Sequence, residues 1–445
     1  MRPDQAGAVI RCSGGGVRKG LPVVIAGTGF AAACAALRLL AEGFRPVLLH
    51  SPRARDIGGV EILPTAMADQ LAVLGLGDAL ARAGAFLAEG LDARWGRTDD
   101  GPRSYRTLHI DRLVLRRETL AEAVARGAEI RAVVRLPDLS ATGRESVEYA
   151  GDRFFAALDA TGRRAAWARP VERLGRTYAD IFAVATPAFS RLARVLRLSG
   201  GWAYAAGSGA KATVGIIHDD KPCREVSLPD EIRQALRLPH SIPIRKLGRR
   251  PAFPQYARAS VQGRLLAVGD AAFAHNPLAG RGLSFALGSA FAAAAVVASW
   301  RNRPNDYADA ATYYREYVAA EQRRHLAFLA SFDSNPPPVR PINPSHVLSW
   351  DARVAMAPLA RGKCIRREPA IKLDDGGFVR WLGDFDLLEL QALSAASIGP
   401  DALIAGLCAL GLGEREAVLL LHWAVQHGVL AVTEVEREER AAAPI

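Results

Sequence analysis

Asp270 and the loop that follows it carry the residue types in this sequence that are best suited to chemistry. Residues 263–288 read GRLLAVGDAAFAHNPLAGRGLSFALG, which predicts a strand over 264–268, a tight turn, an irregular loop and a long apolar helix. The turn holds Asp270, and a carboxylate that directly follows a strand can accept hydrogen bonds from the hydroxyl groups of a ligand. We therefore interpret Asp270 as a ligand-binding residue at the edge of a sheet.

The start of the apolar helix offers the second half of the same site. Glycines there let a ligand approach the backbone closely, and the first-turn amides attract partial negative charge. The residues concerned are Pro277, Gly280, Arg281, Gly282 and Leu283. Flavin is a suitable ligand, because its ribityl chain carries hydroxyl groups and its pyrimidine edge becomes anionic on reduction. If residues 263–288 are considered alone, the alternative interpretation is an ordinary strand, loop and helix without a bound ligand.

A dinucleotide-binding fingerprint stands near the start of the chain. Residues 21–50 read LPVVIAGTGFAAACAALRLLAEGFRPVLLH, which predicts a strand, a helix and a second strand. The fingerprint's three small positions are Gly27, Gly29 and Ala32. The first makes the turn, the second lets a pyrophosphate approach, and the third lets the helix pack closely on the sheet. This context makes the motif a specific signal.

One position departs from the fingerprint. The acid expected at the end of the second strand, where it would bind ribose hydroxyls, is replaced by His50 and Ser51. Either side chain can still hydrogen-bond a ribose. Arg53 and Arg55 leave an NADP phosphate site open as an alternative, although an NADP domain would give the distant Asp270 no role.

Together the two motifs resemble the glutathione-reductase-type FAD-binding fold of aromatic hydroxylases and tryptophan halogenases. Residues 269–271 (GDA) and 277–282 (PLAGRG) match the family's second motif, and residues 155–163 (FAALDATGR) match the D-A-T-G-R segment that the family has between the two motifs. The resemblance implies non-covalent FAD, with its ADP half on the first motif and its ribityl chain and ring on the second. It also implies an external reductant, either NAD(P)H or a flavin reductase.

The resemblance assigns roles to three further residues. Residues 58–64 (GGVEILP) are similar to the halogenase G-E-x-x-x-P segment that covers the flavin, although Val60 stands in place of its glycine. His275, in the loop beside the expected ring position, is the first candidate for proton transfer, and Glu61 is the second. Arg112 stands at an I-D-R site that approaches the FAD diphosphate in the family. The alternatives are a solvated acid, a histidine that only packs or caps the loop, and a surface arginine.

A missing lysine separates two reaction classes. Tryptophan halogenases carry a lysine that handles hypohalous acid, and Leu87 stands where that lysine would be, with no lysine between Lys19 and Lys211. Arginine cannot easily lose its proton to replace it. The resemblance therefore implies an FAD-dependent monooxygenase that hydroxylates an aromatic ring. A tryptophan halogenase, an isoprenoid double-bond reductase and a non-catalytic flavin-binding adaptor are the alternatives.

The halogenase-like core without the lysine, joined to a small C-terminal domain, resembles the peptidyl-tryptophan hydroxylases of cysteine tryptophylquinone biogenesis. Those enzymes mature the cofactor of quinohemoprotein amine dehydrogenase. The resemblance implies a tryptophan residue of a peptide or small protein as the substrate, and a radical-SAM crosslinking enzyme as an associate.

The composition of the sequence bears on the compartment and the partners of the protein. Five scattered cysteines without C-x-x-C spacing argue for a reducing compartment and against a metal site. We predict a cytoplasmic protein, because no uninterrupted apolar run reaches membrane-spanning length and residues 1–20 lack the apolar core of a signal peptide. The net charge of +11 comes mostly from arginine, as a GC-rich genome would produce. We therefore expect neither a nucleic-acid nor a membrane partner.

The fold class that we predict is α/β, with 445 residues divided into four parts. A disordered tail (1–20) precedes an FAD-binding domain (21–171 and 247–333). An antiparallel β-sheet substrate domain (172–246) is inserted in it, and a small α-rich, winged-helix-like domain (348–445) follows a proline-rich run at 335–344. Trp202 and Tyr204 alternate on one predicted strand of the substrate domain, so they point to the same face. They either line a cavity or pack in a core.

Overall fold

The computed structural model divides the chain into two compact units, Met1–Ala298 and Ser299–Ile445. The structure describes residues 9–10, 20–52, 57–94, 102–139, 141–187, 189, 191–198, 200–209, 211–219, 230–332, 342–361, 364–382 and 385–434. The predicted tail therefore lies outside the described residues, except for the short strand at Val9–Ile10 and for Gly20. The proline-rich run also lies outside them, apart from residues 342–344.

The first unit is built from strands and six helices among its described residues. Its strands are β1 (Val9–Ile10), β2 (Val23–Ala26), β3 (Pro46–His50), β4 (Val60–Pro64), β5 (Phe86–Arg94), β6 (Pro102–Asp111), β7 (Glu129–Ala132), β8 (Ala141–Thr142), β9 (Val147–Tyr149), β10 (Asp152–Phe154), β11 (Ala156–Asp159), β12 (Val171–Arg173), β13 (Thr177–Val184), β14 (Leu192–Leu198), β15 (Gly201–Ser208), β16 (Lys211–Asp219), β17 (Ile244–Pro251), β18 (Gln255–Ala257), β19 (Val261–Gln262), β20 (Leu265–Ala267) and β21 (Phe273–Ala274). Its helices are α1 (Phe30–Ala41), α2 (Ala66–Val73), α3 (Gly77–Arg82), α4 (Arg112–Ala125), α5 (Asp230–Ala235) and α6 (Gly282–Asn302), which runs past the boundary between the units. Single 3₁₀ turns occupy Gly162–Arg164, Gly269–Ala271 and Pro277–Ala279.

A seven-stranded sheet carries the dinucleotide motif, in the order β1-β7-β3-β2-β11-β20-β19. The five inner strands are parallel, and the edge strands β1 and β19 are antiparallel to their neighbours. Strands such as Val23–Ala26 are apolar throughout and fully buried, as expected for parallel strands covered on both faces. The predicted strand–helix–strand at 21–50 and the strand before Asp270 are confirmed. Because β2, β11 and β20 are parallel neighbours, their carboxyl ends meet at one edge of the sheet.

The second large sheet of the first unit has eight strands, in the order β17-β13-β16-β15-β14-β5-β6-β4. All its pairings are antiparallel except that of β14 with β5. The predicted range of 172–246 for this sheet is therefore too narrow, because β4, β5 and β6 precede it and most of β17 follows it. Pairing between strands so distant in sequence leaves no local signal. The sheet also curls, since the Val60 amide donates to Oγ1 of Thr213 at 2.7 Å and the His109 ring donates to the Gly207 carbonyl at 2.7 Å.

Helix α6 is the central apolar helix among the described residues. It is long and apolar enough to cross a membrane, and within the described residues it is the one helix of which that is true. However, 72% of its apolar window is buried inside the structure, as in the core helix of a soluble protein. The predicted helix at the end of the Asp270 loop is thereby confirmed as a core element.

The second unit combines helices with a long β-hairpin. Its helices are α7 (Tyr307–Phe332), α8 (Glu389–Leu393), α9 (Pro400–Ala409) and α10 (Glu414–Gln426). Its strands are β22 (His346–Trp350), β23 (Arg353–Arg361), β24 (Cys364–Lys372), β25 (Phe378–Val379), β26 (Trp381–Leu382), β27 (Phe385–Asp386) and β28 (Leu430–Glu434). The helices agree with the α-rich character that we predicted for the C-terminal part, and its winged-helix-like arrangement stays a prediction. The hairpin of β23 and β24 was not predicted.

Helix α7 shows that the predicted end of the FAD-binding domain at residue 333 is too late in the sequence. Its Asp309 carboxylate lies 3.4 Å from the Arg367 guanidinium of β24, and Arg324 lies 3.0 Å from Asp375. The residues after the proline-rich run therefore fold back onto the helix before it. A run of prolines marks a stiff segment, but it does not show which elements pack together.

Candidate functional site

Gly27 and Gly29 open the helix α1 terminus at the edge where β2, β11 and β20 end. Gly27 has a φ of +112°, and a Cβ there would lie 2.5 Å from the Ala160 carbonyl oxygen, so that only glycine is accommodated. Gly29 is the N-cap of α1, with open space around its Cβ position and no acid in the first turn. Ala32 is fully buried against the sheet. The helix N-terminus is therefore available to an anion.

His50 and Ser51 stand at the end of the neighbouring strand β3. Nδ1 of His50 is hydrogen-bonded to Oγ1 of Thr28 at 3.0 Å, which ties the histidine to the glycine loop. Ser51 follows it and is half-buried. Both side chains lie at the sheet edge that the fingerprint requires for a ribose. Arg53 and Arg55, the alternative phosphate ligands, lie outside the described residues.

Asp270 lies in a 3₁₀ turn at the carboxyl end of β20, two strands from the glycine loop. The preceding Gly269 has a φ of +61°, its amide donates to Oγ of Ser289 at 2.9 Å, and a Cβ there would lie 2.9 Å from Cβ of Ala31. The turn is thus wedged between α1 and α6. The Asp270 side chain is half-buried at the same edge as Gly27.

The loop from Asp270 to α6 ends in an open helix start. Oδ1 of Asn276 accepts from the Leu278 amide at 3.0 Å and begins the turn at Pro277, and Gly280 closes it with a φ of +61°. The Cβ positions of Gly280 and Gly282 both face open space. Arg281 is exposed and Leu283 is half-buried in the first turn of α6. The predicted loop residues therefore surround an accessible helix N-terminus.

Arg163 is the residue of this site that the sequence analysis missed. Its Nη1 donates to the Phe253 carbonyl at 2.6 Å, and its Nη2 donates to the His275 carbonyl at 2.8 Å. Burial lowers the pKa of the guanidinium, and the neighbouring Asp270 carboxylate partly opposes this. The D-A-T-G-R motif contained the signal for Arg163. That motif matched the family, but its spacing does not reveal which carbonyls the arginine binds.

His275 packs inside the loop that Arg163 holds. Its ring centroid lies 4.5 Å from that of Phe273 and 5.3 Å from that of Phe285, and the residue is 5% exposed. Such enclosure by phenylalanine rings is the environment of a packing histidine. His275 is therefore the weaker of the two candidates for proton transfer.

Glu61 lies in a charged cluster on the eight-stranded sheet. Its Oε1 is 2.7 Å from Nη1 of Arg112 and 3.7 Å from Nη1 of Arg250. The Tyr204 hydroxyl belongs to the same neighbourhood. Burial and the Glu61 carboxylate raise the pKa of Tyr204, whereas the two arginines lower it. Arg112 thus binds the Glu61 carboxylate, and its contact with an FAD diphosphate stays a prediction.

Trp202 and Tyr204 form an aromatic wall on one face of the sheet, as their alternation predicts. Their ring centroids are 5.9 Å apart. A Cβ on Gly215 would overlap the Tyr204 ring, so glycine is required beneath it. Trp202 is 7% exposed and lies in a buried apolar cluster, against which both Tyr204 and Leu278 of the Asp270 loop pack. The wall and the loop are therefore adjacent.

The aromatic wall has no lysine within the part of the protein that the structure describes. Leu87 lies on β5 with 37% of its surface exposed. Among the described residues of the first unit, the lysines are Lys211, which is exposed in a hairpin, and Lys246. Lys246 lies 3.0 Å from Oδ1 of Asp180 and over the Phe182 ring, which belongs to the opposite face of the sheet. No group of His, Cys, Asp or Glu among the described residues could hold a metal ion.

The Arg163→Ala variant is expected to lose about 3 kcal/mol or more of unfolding free energy, because two hydrogen bonds from a charged donor contribute ~1.5–3 kcal/mol each. Urea denaturation followed by tryptophan fluorescence measures this loss. Arg163→Lys is the matched control, since its single ammonium keeps the charge but cannot reproduce the two-pronged fork. Equal stability of the wild-type protein and the alanine variant would show that the fork does not hold the loop.

Two of the solved structures that share this fold are flavin-dependent halogenases. The flavin-dependent halogenase CmlS matches with a TM-score of 0.69 at 15% identity, over 93% of this chain and 96% of its own. The myxobacterial chondrochloren halogenase CndH matches with a TM-score of 0.60 at 18% identity, over 70% of this chain and 82% of its own. The protein therefore has the α/β fold of FAD-dependent halogenases, which the sequence motifs predicted.

Structures that are not named as halogenases also share the fold. QhpG, a peptidyl tryptophan dihydroxylase essential for tryptophylquinone cofactor biogenesis, matches with a TM-score of 0.59 at 20% identity, over 92% of this chain and 99% of its own. No family model matches the sequence, and no curated protein matches it. At these identities the likeness shows the fold, and the chemistry has to be argued from the site.

Proposed function

We propose that this protein is an FAD-dependent monooxygenase that hydroxylates an aromatic ring. The observation that carries the proposal is the meeting of an open α1 terminus, Asp270 and an open α6 terminus at one place, beside the aromatic wall of Trp202 and Tyr204. A flavin with an adenine nucleotide needs both helix ends, whereas a simple dinucleotide domain needs only the first.

The residues present fit FAD. The first turn of α1 after Gly29 offers backbone amides to the pyrophosphate and contains no acidic side chain that would repel it. His50 and Ser51 would bind the ribose. Asp270 would accept a ribityl hydroxyl, and the α6 terminus at Gly282 would face the pyrimidine edge. Bound FAD would supply the electrons that activate O₂. These electrons come from an external reductant, either NAD(P)H or a flavin reductase.

The protein itself would orient the substrate, exclude water and accept a proton. Trp202 and Tyr204 belong to an apolar cluster of the sheet, and an aromatic ring bound beside that cluster would be shielded from water. Both arginine contacts of Glu61 are to Oε1, which leaves Oε2 as the oxygen that can take up the proton lost by the ring. Arg112 and Arg250 would hold that carboxylate in place.

We further propose that the ring belongs to a tryptophan residue of a peptide or small protein. The support is the likeness to QhpG across both units of this protein and the absence of a lysine at the aromatic wall among the described residues. Under this proposal a radical-SAM crosslinking enzyme is the expected associate, cysteine tryptophylquinone is the product under construction, and the reaction takes place in the cytoplasm.

The test of the function is a complete reaction of the FAD-loaded protein with a reductant, O₂ and candidate small proteins. We expect O₂ uptake that depends on substrate, and a mass increase of whole oxygen atoms on a tryptophan-containing peptide. Glu61→Gln should lower the rate while leaving bound FAD unchanged. Substrate turnover without O₂ would instead identify a double-bond reductase of the same fold.

Halide is expected to leave the products unchanged. Neither Leu87 nor any other described residue at the wall offers an amine for hypohalous acid, so chloride or bromide in excess should give no halogenated tryptophan by mass spectrometry. A bona fide tryptophan halogenase run in parallel with the same reductant serves as the positive control. Chlorinated or brominated product from this protein would overturn the monooxygenase assignment.

A further inference from the structure

A cavity of about 520 Å³ lies behind the D-A-T-G-R turn of the first unit. Its lining consists of Arg163, Arg164, Arg169, Pro170, Val171 and Arg173. Four of these six residues carry a guanidinium group. The volume falls in the range of small-ligand sites, which is roughly 300–1,000 Å³.

Three of the four arginines have no carboxylate partner among the described residues. Arg164, Arg169 and Arg173 are exposed, and the ion pairs within the described part of the protein include none of them. Among the described residues, the one polar contact of their guanidinium groups is from Nη2 of Arg169 to the Arg164 carbonyl, at a long 3.5 Å. Gathering like charges without a counter-charge is unfavourable, so a bound anion would stabilise this arrangement.

The acid on the lining strand is committed to other partners. Glu172 lies between Val171 and Arg173 on β12, and alternation along a strand directs it to the opposite face. Its carboxylate accepts hydrogen bonds from the Tyr256 hydroxyl and, at 2.7 Å, from Nε of Arg258. These two hydrogen bonds lower the pKa of Glu172. The carboxylate therefore does not neutralise the cavity.

An aromatic ring orients part of the basic lining. The guanidinium groups of Arg163 and Arg173 lie over the Phe253 ring, at 5.6 Å and 5.9 Å from its centroid. Stacking of this kind holds the Arg173 guanidinium plane while its donors remain able to bind a ligand. Nη1 and Nη2 of Arg163 are already bonded to carbonyl oxygens, so Arg163 contributes its charge to the lining.

We propose that this cavity binds the phosphate groups of a small ligand. Planar guanidinium forks match phosphate oxygens in pairs, and several converging forks select a group with more than one negative charge. The site is separate from the two helix termini proposed to hold FAD. Arg163 connects the two, because the guanidinium that lines the cavity also donates to the His275 carbonyl of the flavin loop. A ligand bound in the cavity would therefore affect the position of that loop.

The test is calorimetric titration of the FAD-loaded protein with inorganic pyrophosphate, with NADPH and with a polyglutamate peptide. We expect saturable pyrophosphate binding that the Arg164→Gln/Arg173→Gln double variant weakens on the order of tenfold or more, since charged hydrogen bonds are lost. Arg245→Gln is the matched control, because Arg245 is an exposed arginine of β17 outside the cavity. NADPH binding tighter than pyrophosphate would identify a nucleotide as the source, and equal affinities would identify free phosphate.

Three results would overturn the proposal. These are no saturable binding of either phosphate probe, binding that the double variant leaves unchanged, and binding of polyglutamate alone. Circular dichroism and thermal denaturation show whether the double variant folds, and the two single variants replace it if it does not. Should the protein prove unable to bind FAD, pyrophosphate could occupy the α1 terminus instead, but that binding would be insensitive to the arginine substitutions. Failure of the proposed function and failure of the phosphate site are therefore distinguishable.

Discussion

The Gly29→Asp variant is expected to fold normally and to be purified without FAD. Aspartate is a preferred N-cap, and the open space at this position accepts its side chain, so α1 should gain a few tenths of a kcal/mol. The same carboxylate would occupy the first-turn amides and repel a pyrophosphate. Like charges about 4 Å apart at an effective dielectric constant of about 20 repel by roughly 4 kcal/mol, which is on the order of a thousandfold in affinity.

Flavin absorbance after gel filtration and a titration with FAD measure this loss, and thermal denaturation of the FAD-free protein checks the fold. Gly29→Asn is the matched control, since it has the same size and capping ability without the charge. We expect it to weaken FAD binding much less than aspartate does. Wild-type FAD content in Gly29→Asp would mean that the pyrophosphate does not lie at this helix. Gly27 is unsuited to the test, because any Cβ there meets the Ala160 carbonyl.

Truncation after Asn343 is expected to abolish soluble protein. The sequence suggested that such a cut would remove a separate domain and spare FAD binding, because both motifs precede it. In the structure α7 remains in the truncated protein but loses β23 and β24, with their contacts from Arg367 to Asp309 and from the Ile365 amide to Ser299 Oγ at 2.7 Å. The apolar side of α7 that faces those strands would be exposed to water.

The soluble fraction after expression, and its flavin content, measure the effect of the cut. A protein that ends at Glu434 is the control, because it keeps β28 and its pairing with β22. We expect this shorter deletion to remain soluble and to bind FAD. A soluble, yellow protein that ends at Asn343 would instead restore the idea of an independent C-terminal domain, and its activity on a peptide would then show whether that domain serves docking.

The candidate cofactor motifs could be predicted from sequence because their signals are local. A glycine with a positive φ follows an apolar strand at Gly27 and again at Gly269, and the next long helices begin at Phe30 and Gly282. Parallel strand order then brings the two motifs to one edge, which the family resemblance implied. These parts required no knowledge of distant contacts.

The cluster around Glu61 could not be predicted because its contacts join distant segments. Glu61, Tyr204 and Arg250 lie on three strands of the eight-stranded sheet and meet only once β4 has curled against β15 and β16. Arg250 carries no motif and looks like any arginine of a basic protein. The hairpin of β23 and β24 was also missed, since Pro358 and Pro369 interrupt patterns that would otherwise indicate strands.

The parallel pairing of β14 with β5 has a consequence for how the protein is made. Strands β4, β5 and β6 leave the ribosome well before β14, and β5 then presents an unpaired edge. The partner strand follows roughly 100 residues later, which at ~5–20 residues per second is on the order of 5–20 s of translation. During that interval the nascent sheet has an open edge at Gly90–Arg94 that another nascent polypeptide can pair with. Synthesis speed and chaperone supply, rather than the stability of the finished fold, should therefore limit the yield of this protein.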